Sequence, residues 1–136
     1  MIIFACVDDG MGMMFNRRRQ SSDRILRLRI RSIAAGHALW MNSYSAEMFD
    51  GADSIKVSEN PLDDAGEHDF CFVENEDLTA HADKINIIYL YRWNRAYPSD
   101  FRFEIDLSEY DLKSTSDFAG SSHEKITEDI YIRKEL

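Results

Sequence analysis

Proline, glycine and cysteine are scarce in this chain, and basic residues are outnumbered by acidic ones. Its 136 residues include two prolines, six glycines and two cysteines. So little proline and glycine excludes a collagen-like or low-complexity chain, and two cysteines exclude a disulfide framework. Both cysteines, Cys6 and Cys71, lie within apolar runs, so we expect buried free thiols. No apolar run approaches the roughly 20 residues that a membrane helix needs, so we expect no membrane association.

What is present suits one compact domain. Hydrophobic residues make up 44% of the chain and aromatic residues 12%, which excludes a disordered chain. At this length we expect a single α/β domain over residues 1–136. The apolar start, Met1 to Val7, is too short for a signal peptide and runs directly into acidic residues. It therefore predicts a first strand and a cytoplasmic protein.

Charge is unevenly distributed along the chain. The net charge is −9, and an acidic protein repels a polyanion, so we expect no general DNA binding. Residues 17–31 nevertheless hold seven arginines and one acid, a net charge of +6 that leaves −15 for the rest of the chain. Two interpretations stay open for this segment: a solvated helix face, or a site for a phosphate, a nucleotide or an acidic partner, since arginine matches phosphate and carboxylate geometry. The remaining acidic surface suits an inhibitor-like module that engages a basic protein.

Strands and short helices alternate along most of the chain. Residues 2–7 suit a strand buried on both faces, and Asp23 offers a cap for a helix that ends near Gly36. That helix would carry Arg24, Arg27 and Arg31 on one face and direct free backbone N–H groups outward, as anion sites do. Further strands are predicted at 39–41, 55–57, 70–73, 85–91, 101–107 and 130–133, with a short helix at 43–49. The order predicts an α/β fold, with a mixed, mostly parallel sheet flanked by helices and ending in antiparallel strands.

This order of elements resembles the dihydrofolate reductase fold. The first strand leads into an Asp-containing turn, a glycine and an apolar loop that ends at Asn16. A helix with an acid near its start, Asp23, follows that loop. The resemblance also rests on Arg95-Ala96-Tyr97 after a buried strand and on Ser122-His123 before the last strand. It implies the reductase fold over most of the chain.

Departures from the reductase pattern bear on the expected chemistry. The family places a Gly-Gly pair after its central strand, where the cofactor pyrophosphate approaches the backbone. We match that pair to Arg92 and Trp93, whose side chains would block the approach. The family's proline-rich substrate loop is replaced by 17–20, and 41–43 supplies no basic residue for the cofactor's extra phosphate. We therefore expect no nicotinamide cofactor, and an NADPH-dependent reductase remains an alternative.

The chain also resembles a small bacterial family often labelled ribonuclease Z. The shared segments are 14–21, 39–42, 71–75, 92–95 and 120–125. A nuclease of that type needs a dense cluster of histidines and aspartates around two zinc ions. The four histidines here, 37, 68, 81 and 123, stand apart with no ligand spacing. The residues do not support the label, and we expect no metal site.

Two residues are our candidates for acid–base chemistry, Asp23 and His123. The candidate ligand-binding residues are Asn16, Arg17, Arg18, Arg19, Arg92, Trp93 and Arg95. Together they predict a protein that binds a phosphate-bearing small molecule or nucleotide, with phosphoester or RNA chemistry as an extension. Each also has a purely structural interpretation: Asp23 as a helix cap, His123 as part of a polar turn at 120–125, and Trp93 as packing over the sheet edge.

Overall fold

The computed structural model describes residues 1–49 and 55–134 and contains ten strands in that part of the chain. In chain order they are β1 (Ile2–Val7), β2 (Gly12–Phe15), β3 (Arg18–Arg19), β4 (Leu39–Met41), β5 (Ile55–Val57), β6 (Phe70–Val73), β7 (Ile87–Arg92), β8 (Phe101–Arg102), β9 (Tyr110–Phe118) and β10 (Ile126–Arg133). Seven of them form one sheet in the order β5-β4-β6-β1-β7-β10-β9. The first five run parallel, and β10 and β9 are antiparallel to their neighbours. The predicted mixed, mostly parallel sheet is therefore confirmed.

Strand β1 lies near the middle of the sheet because its side chains are apolar on both faces. Ile3, Ala5 and Val7 belong to the core on one face, with Leu90 of β7 among their neighbours. Phe4 belongs to the core on the other face, beneath the first helix. An apolar run without alternation is the pattern expected for a strand covered on both sides.

Helix α1 comprises Arg24–Ala34, and Asp23 is its N-cap, as the sequence predicted. Leu26, Ile30 and Ala34 are buried against the sheet at successive intervals of four residues. The alternation of leucine and arginine within this segment allowed a strand, but Leu28 is 51% exposed, which a helical face explains. The described elements also include two one-turn helices, α2 (Ser43–Ala46) and α3 (Pro61–Asp64), and two 3-10 helices, Thr79–Lys84 and Leu107–Glu109. None of the helices in the described ranges is long and apolar enough to cross a membrane.

Three local predictions were wrong. The apolar stretch before Asn16 is not a loop: it is β2, which pairs with β3 and β8 in a small second sheet. The strand predicted at 101–107 is reduced to β8. Phe103 and Ile105 are buried, as the alternation predicted, but the backbone around them pairs with no neighbouring strand in a continuous ladder. The helix predicted at 43–49 ends at Ala46, and its cap is Asn42. The predicted turn at 50–51 lies outside the described residues.

Candidate active site

A narrow cleft opens where β1 and β6 end beside the start of α1. The space inside it that admits the centre of a water-sized sphere is about 20 Å³, so the cleft is tight as it stands. Its apolar lining includes Cys6, Leu26 and Phe72, and its polar wall includes Ser21 and Arg27. Clefts at the carboxyl ends of parallel strands are where ligands gather in open α/β sheets.

The carboxylate of Asp23 is the most heavily hydrogen-bonded group beside this cleft. It accepts the backbone N–H groups of Ile25 and Leu26 at the start of α1. It also accepts those of Ser121 and Ser122, which come from the turn before β10. Burial acts to raise the pKa of Asp23, but these donors and His123 outweigh it and hold that pKa well below its usual range. The carboxylate is thus ionised at neutral pH although its side chain has no exposed surface.

Gly120 explains why the turn before β10 comes so close to Asp23. A Cβ atom at this position would overlap the carboxylate of Asp23. The backbone N–H of Gly120 also donates to the carbonyl of His123, which closes the turn. The close approach therefore requires glycine, which was visible in the sequence only as part of a polar turn.

His123 connects Asp23 to the cleft. Its Nδ1 lies 3.0 Å from Oδ2 of Asp23, and its Nε2 lies 2.8 Å from Oγ of Ser21. The indole of Trp93 stacks on the imidazole, with ring centroids 4.5 Å apart. The structure therefore brings three of the candidate residues, Asp23, His123 and Trp93, into one site. Sequence reasoning missed Ser21, because nothing local indicates its contact with His123.

The three candidate arginines outside the hairpin turn, Arg19, Arg92 and Arg95, have different environments. Arg19 lines the cleft, but its guanidinium makes a bidentate pair with Glu74 at 2.9 and 3.1 Å. Arg92 is the last residue of β7 and pairs with Asp129 of β10 at 2.7 Å, so its charge is already balanced outside the cleft. Arg95 is an exposed loop residue. Arg27, which the prediction treated only as a helix-face residue, lines the cleft and makes no side-chain hydrogen bond or ion pair with any described residue.

The other three candidates lie on the β2–β3 hairpin. Asn16 and Arg17 form its turn, and Arg18 begins β3. All three are exposed. A groove beside the hairpin is lined by Asn16 and Arg18, and it shares Arg19 and Gln20 with the cleft as a common wall. The hairpin residues are therefore neighbours of the cleft and not part of it.

Two further features qualify the predicted anion site. The N-terminus of α1 is not free to bind an anion, because Asp23 accepts two of its N–H groups and the Ser121 hydroxyl accepts that of Arg24. That part of the prediction is corrected. Gln20 instead offers an acceptor: its Nε2 donates to Asp8 and to the carbonyl of Pro98, while its Oε1 is buried without a partner among the described residues.

The part of the chain that the structure describes contains no group of three or more histidine, cysteine, aspartate or glutamate side chains able to hold a metal ion. Its two cysteines are free thiols. Burial raises the pKa of both. Neither thiol is therefore a ready nucleophile at neutral pH.

Comparison with known proteins identifies the fold. No protein-family model matches the chain, and no curated protein sequence matches it. Among solved structures, it is similar to a dihydrofolate reductase from Enterococcus faecalis in complex with NADP(H) and RAB-propyl, with a TM-score of 0.72. The match covers 98% of this chain and 96% of the reductase, at 10% sequence identity. The predicted dihydrofolate reductase-like fold is therefore confirmed, and at this identity the likeness concerns the fold alone.

Proposed function

We propose that this protein is an enzyme that binds a small phosphate-bearing molecule in the cleft and acts on it by acid–base chemistry centred on His123. The observation that carries the proposal is the 3.0 Å contact between His123 and the ionised Asp23. A carboxylate in this position fixes the orientation of the imidazole and the ring nitrogen that carries its proton. Asp23 itself has no exposed side-chain surface, so it acts as a positioning residue and does not meet the substrate.

Arg27 supports an anionic ligand. Arg27 lines the cleft and its side chain has no partner among the described residues, whereas the guanidinium groups of Arg19 and Arg92 are paired with carboxylates. Exposed arginines such as Arg24 and Arg95 also lack a side-chain partner among the described residues, but Arg27 is the one that lines the cleft. Arginine binds phosphate oxygens through two parallel N–H groups, so phosphate is the ligand chemistry that Arg27 fits.

Gln20 adds a second requirement for the ligand. Its buried Oε1 acceptor has no partner among the described residues, and it belongs to the wall shared by the cleft and the hairpin groove. A buried acceptor without a donor costs free energy, and because Oε1 has almost no accessible surface, the Gln20 amide would have to turn before a ligand hydroxyl or amine could bind it. A nucleotide combines such donors with phosphate, and Arg18 in the adjoining groove would suit a second anionic group.

A thermal-shift panel tests this function. The ligands are nucleoside mono-, di- and triphosphates, pyrophosphate, a short RNA, folate and NADPH. A ligand at about 100 times its Kd adds about 2.7 kcal/mol to the free energy of unfolding, which raises the Tm by several degrees in a domain of this size. We expect a rise with a phosphate-bearing ligand in the wild-type protein and none in Arg27→Gln. Arg24→Gln, an exposed position on the same helix, is the control and keeps the rise. A rise that survives Arg27→Gln would contradict the proposed site.

An NADPH-dependent reductase is the second candidate, and the observation that favours it is the match to an NADP(H)-bound dihydrofolate reductase over 98% of the chain. The residues lack the features with which the reductase family binds NADPH. The chain leaves β6 through Glu74-Asn75 and β7 through Trp93-Asn94, so neither exit has a glycine for close approach of a pyrophosphate. A Tm rise with NADPH alone would favour this candidate. A panel with no rise at all would favour the basic protein partner predicted from the acidic surface.

A further inference from the structure

We infer that Ser21 is a nucleophile and that the reaction proceeds through a covalent intermediate on its Oγ atom. This inference rests on the proposed function and names the step that His123 serves. Ser21 lines the cleft and lies 2.8 Å from His123, whose other ring nitrogen lies 3.0 Å from Asp23. Hydroxyl, imidazole and carboxylate in this sequence of contacts are the parts of an activated serine, whatever the fold that holds them.

The hydrogen-bonding network determines which nitrogen of His123 is basic. Asp23 is ionised and accepts four backbone N–H groups, so it also accepts the N–H of Nδ1. In the neutral imidazole the lone pair is then on Nε2, which faces the Ser21 hydroxyl. Ser21 therefore donates its proton to Nε2, the direction of transfer that a nucleophile needs.

A structural role does not account for the Ser21 hydroxyl. Asp23 already caps α1, and the turn before β10 is held by Asp23 and by Ser122, whose hydroxyl donates to the carbonyl of Ser22. The contact with His123 is the one hydrogen bond that Oγ of Ser21 makes to the described residues. Trp93 covers one face of the imidazole. Nε2 of His123 is thus directed at the Ser21 hydroxyl on the cleft wall.

The step balances with water as the co-reactant. As Oγ of Ser21 bonds to the phosphorus of a phosphate ester, its proton moves to Nε2 of His123. The bond between phosphorus and the leaving oxygen breaks, and His123 returns the proton to that oxygen. A water molecule then attacks the phosphorus and gives its proton to His123. The bond between phosphorus and Oγ breaks, and His123 passes that proton to Oγ, which restores the Ser21 hydroxyl and releases the phosphate product. Arg27 on the same wall offsets the negative charge of the phosphoryl oxygens in both steps.

A fluorophosphonate tests the nucleophile without any need to know the substrate. The Oγ atom forms a bond to phosphorus, fluoride leaves, and the proton moves to His123. We expect one added phosphonyl group per chain, mapped by tandem mass spectrometry to Ser21. The labelling is lost in Ser21→Ala and slows at least tenfold in His123→Gln. Ser116→Ala is the control, because Ser116 is exposed on β9 away from the cleft lining and its side chain makes no hydrogen bond to the described residues, and its rate stays unchanged. Labelling at another serine, or an equal rate in His123→Gln, overturns the inference.

Ser21→Cys provides a second measurement that does not depend on deleting the hydroxyl. We expect iodoacetamide to alkylate this new thiol near pH 6.5 at least tenfold faster than in the double variant Ser21→Cys/His123→Gln. The background is low because burial raises the pKa of Cys6 and of Cys71. Equal alkylation rates in the single and double variants contradict activation by His123.

The two proposals fail in different ways. Absent labelling with an Arg27-dependent Tm rise in the ligand panel removes the nucleophile and leaves the binding site. Labelling at Ser21 with no rise for any phosphate-bearing ligand keeps the nucleophile and removes phosphate as the substrate class.

Discussion

Asp23 and His123 lie 100 positions apart in the chain, yet their side chains are 3.0 Å apart and both are almost completely buried. The contact joins the start of α1 to the turn before β10. It therefore serves two purposes at once: it fixes the turn against the helix, and it orients an imidazole toward the cleft. Each purpose makes a separate prediction.

Asp23 makes the protein acid-sensitive. Its pKa is held well below the ordinary value of 3.8 in the folded chain, so its contribution to stability is complete above that value and is lost as the pH falls through the folded-state pKa. We expect the free energy of unfolding of the wild-type protein to fall as the pH drops below that ordinary value toward the acid limit. Asp23→Asn should be less stable at pH 7 by about 1–3 kcal/mol and should lose less on acidification. Urea melts at pH 7 and pH 3 measure both effects. Parallel losses in the two proteins would show that Asp23 does not cause the acid sensitivity.

Gly120 is a steric requirement of the same contact. We expect Gly120→Ala to destabilise the chain by about 1–3 kcal/mol, because the new Cβ overlaps the Asp23 carboxylate and forces the turn away. Gly10→Ala is the matched control, since its nearest heavy atom, Oδ1 of Asp8, is 3.7 Å away at ordinary van der Waals distance. Thermal melts of both variants make the comparison. A loss of stability no larger for Gly120→Ala than for Gly10→Ala would contradict the close approach.

Arg17 lies in a backbone conformation that disfavours its side chain. Its φ is 62° and that of Asn16 is 54°, so both central residues of the β2–β3 turn are left-handed. Such turns prefer Asn followed by Gly. We expect Arg17→Gly to raise the free energy of unfolding by about 0.5–1 kcal/mol, measured by urea melts.

The same variant examines the predicted ligand role of Arg17. If the strained side chain binds the ligand, Arg17→Gly will lower the ligand-induced Tm rise while stabilising the free protein. A more stable variant with an unchanged rise would show that Arg17 is outside the binding site, as its exposed position on the hairpin suggests.

The sequence predicted the central elements well for identifiable reasons. The apolar run of β1 has no polar position, which only a strand covered on both faces tolerates. The spacing of Leu26, Ile30 and Ala34 marks one face of a helix, and the side chain of Asp23 caps it. These are short-range signals, and each needs only a few neighbouring residues to be read.

Local sequence patterns gave wrong predictions where a strand depends on a partner far away in the chain. Strand β9 is polar and its residues are largely exposed, so it carries no hydrophobic pattern, and it exists because β10 offers an edge to pair with. Phe103 and Ile105 have the alternation of a strand but no continuous partner. Hydrogen-bond pairing, which defines a strand, is not encoded in one segment alone.

The candidate site shows the same contrast between residues that the sequence indicated and contacts that it did not. Asp23, His123 and Trp93 were selected as candidates from residue type and position, and the structure brings them together. The contact of Ser21 with His123 was missed. The pairing of Arg19 with Glu74 neutralises a residue that the sequence offered as a free cation.

The sequence by itself determined the class of the fold, the buried central strand, the capped helix and the excess of negative charge, because these follow from local periodicity and composition. Only the tertiary structure decided which charges are neutralised and which polar groups meet. Strand order places the turn before β10 beside the start of α1, and this brings Ser21, His123 and Asp23 into one line of hydrogen bonds. Contacts across about 100 residues depend on how the sheet is assembled, and no local pattern records them.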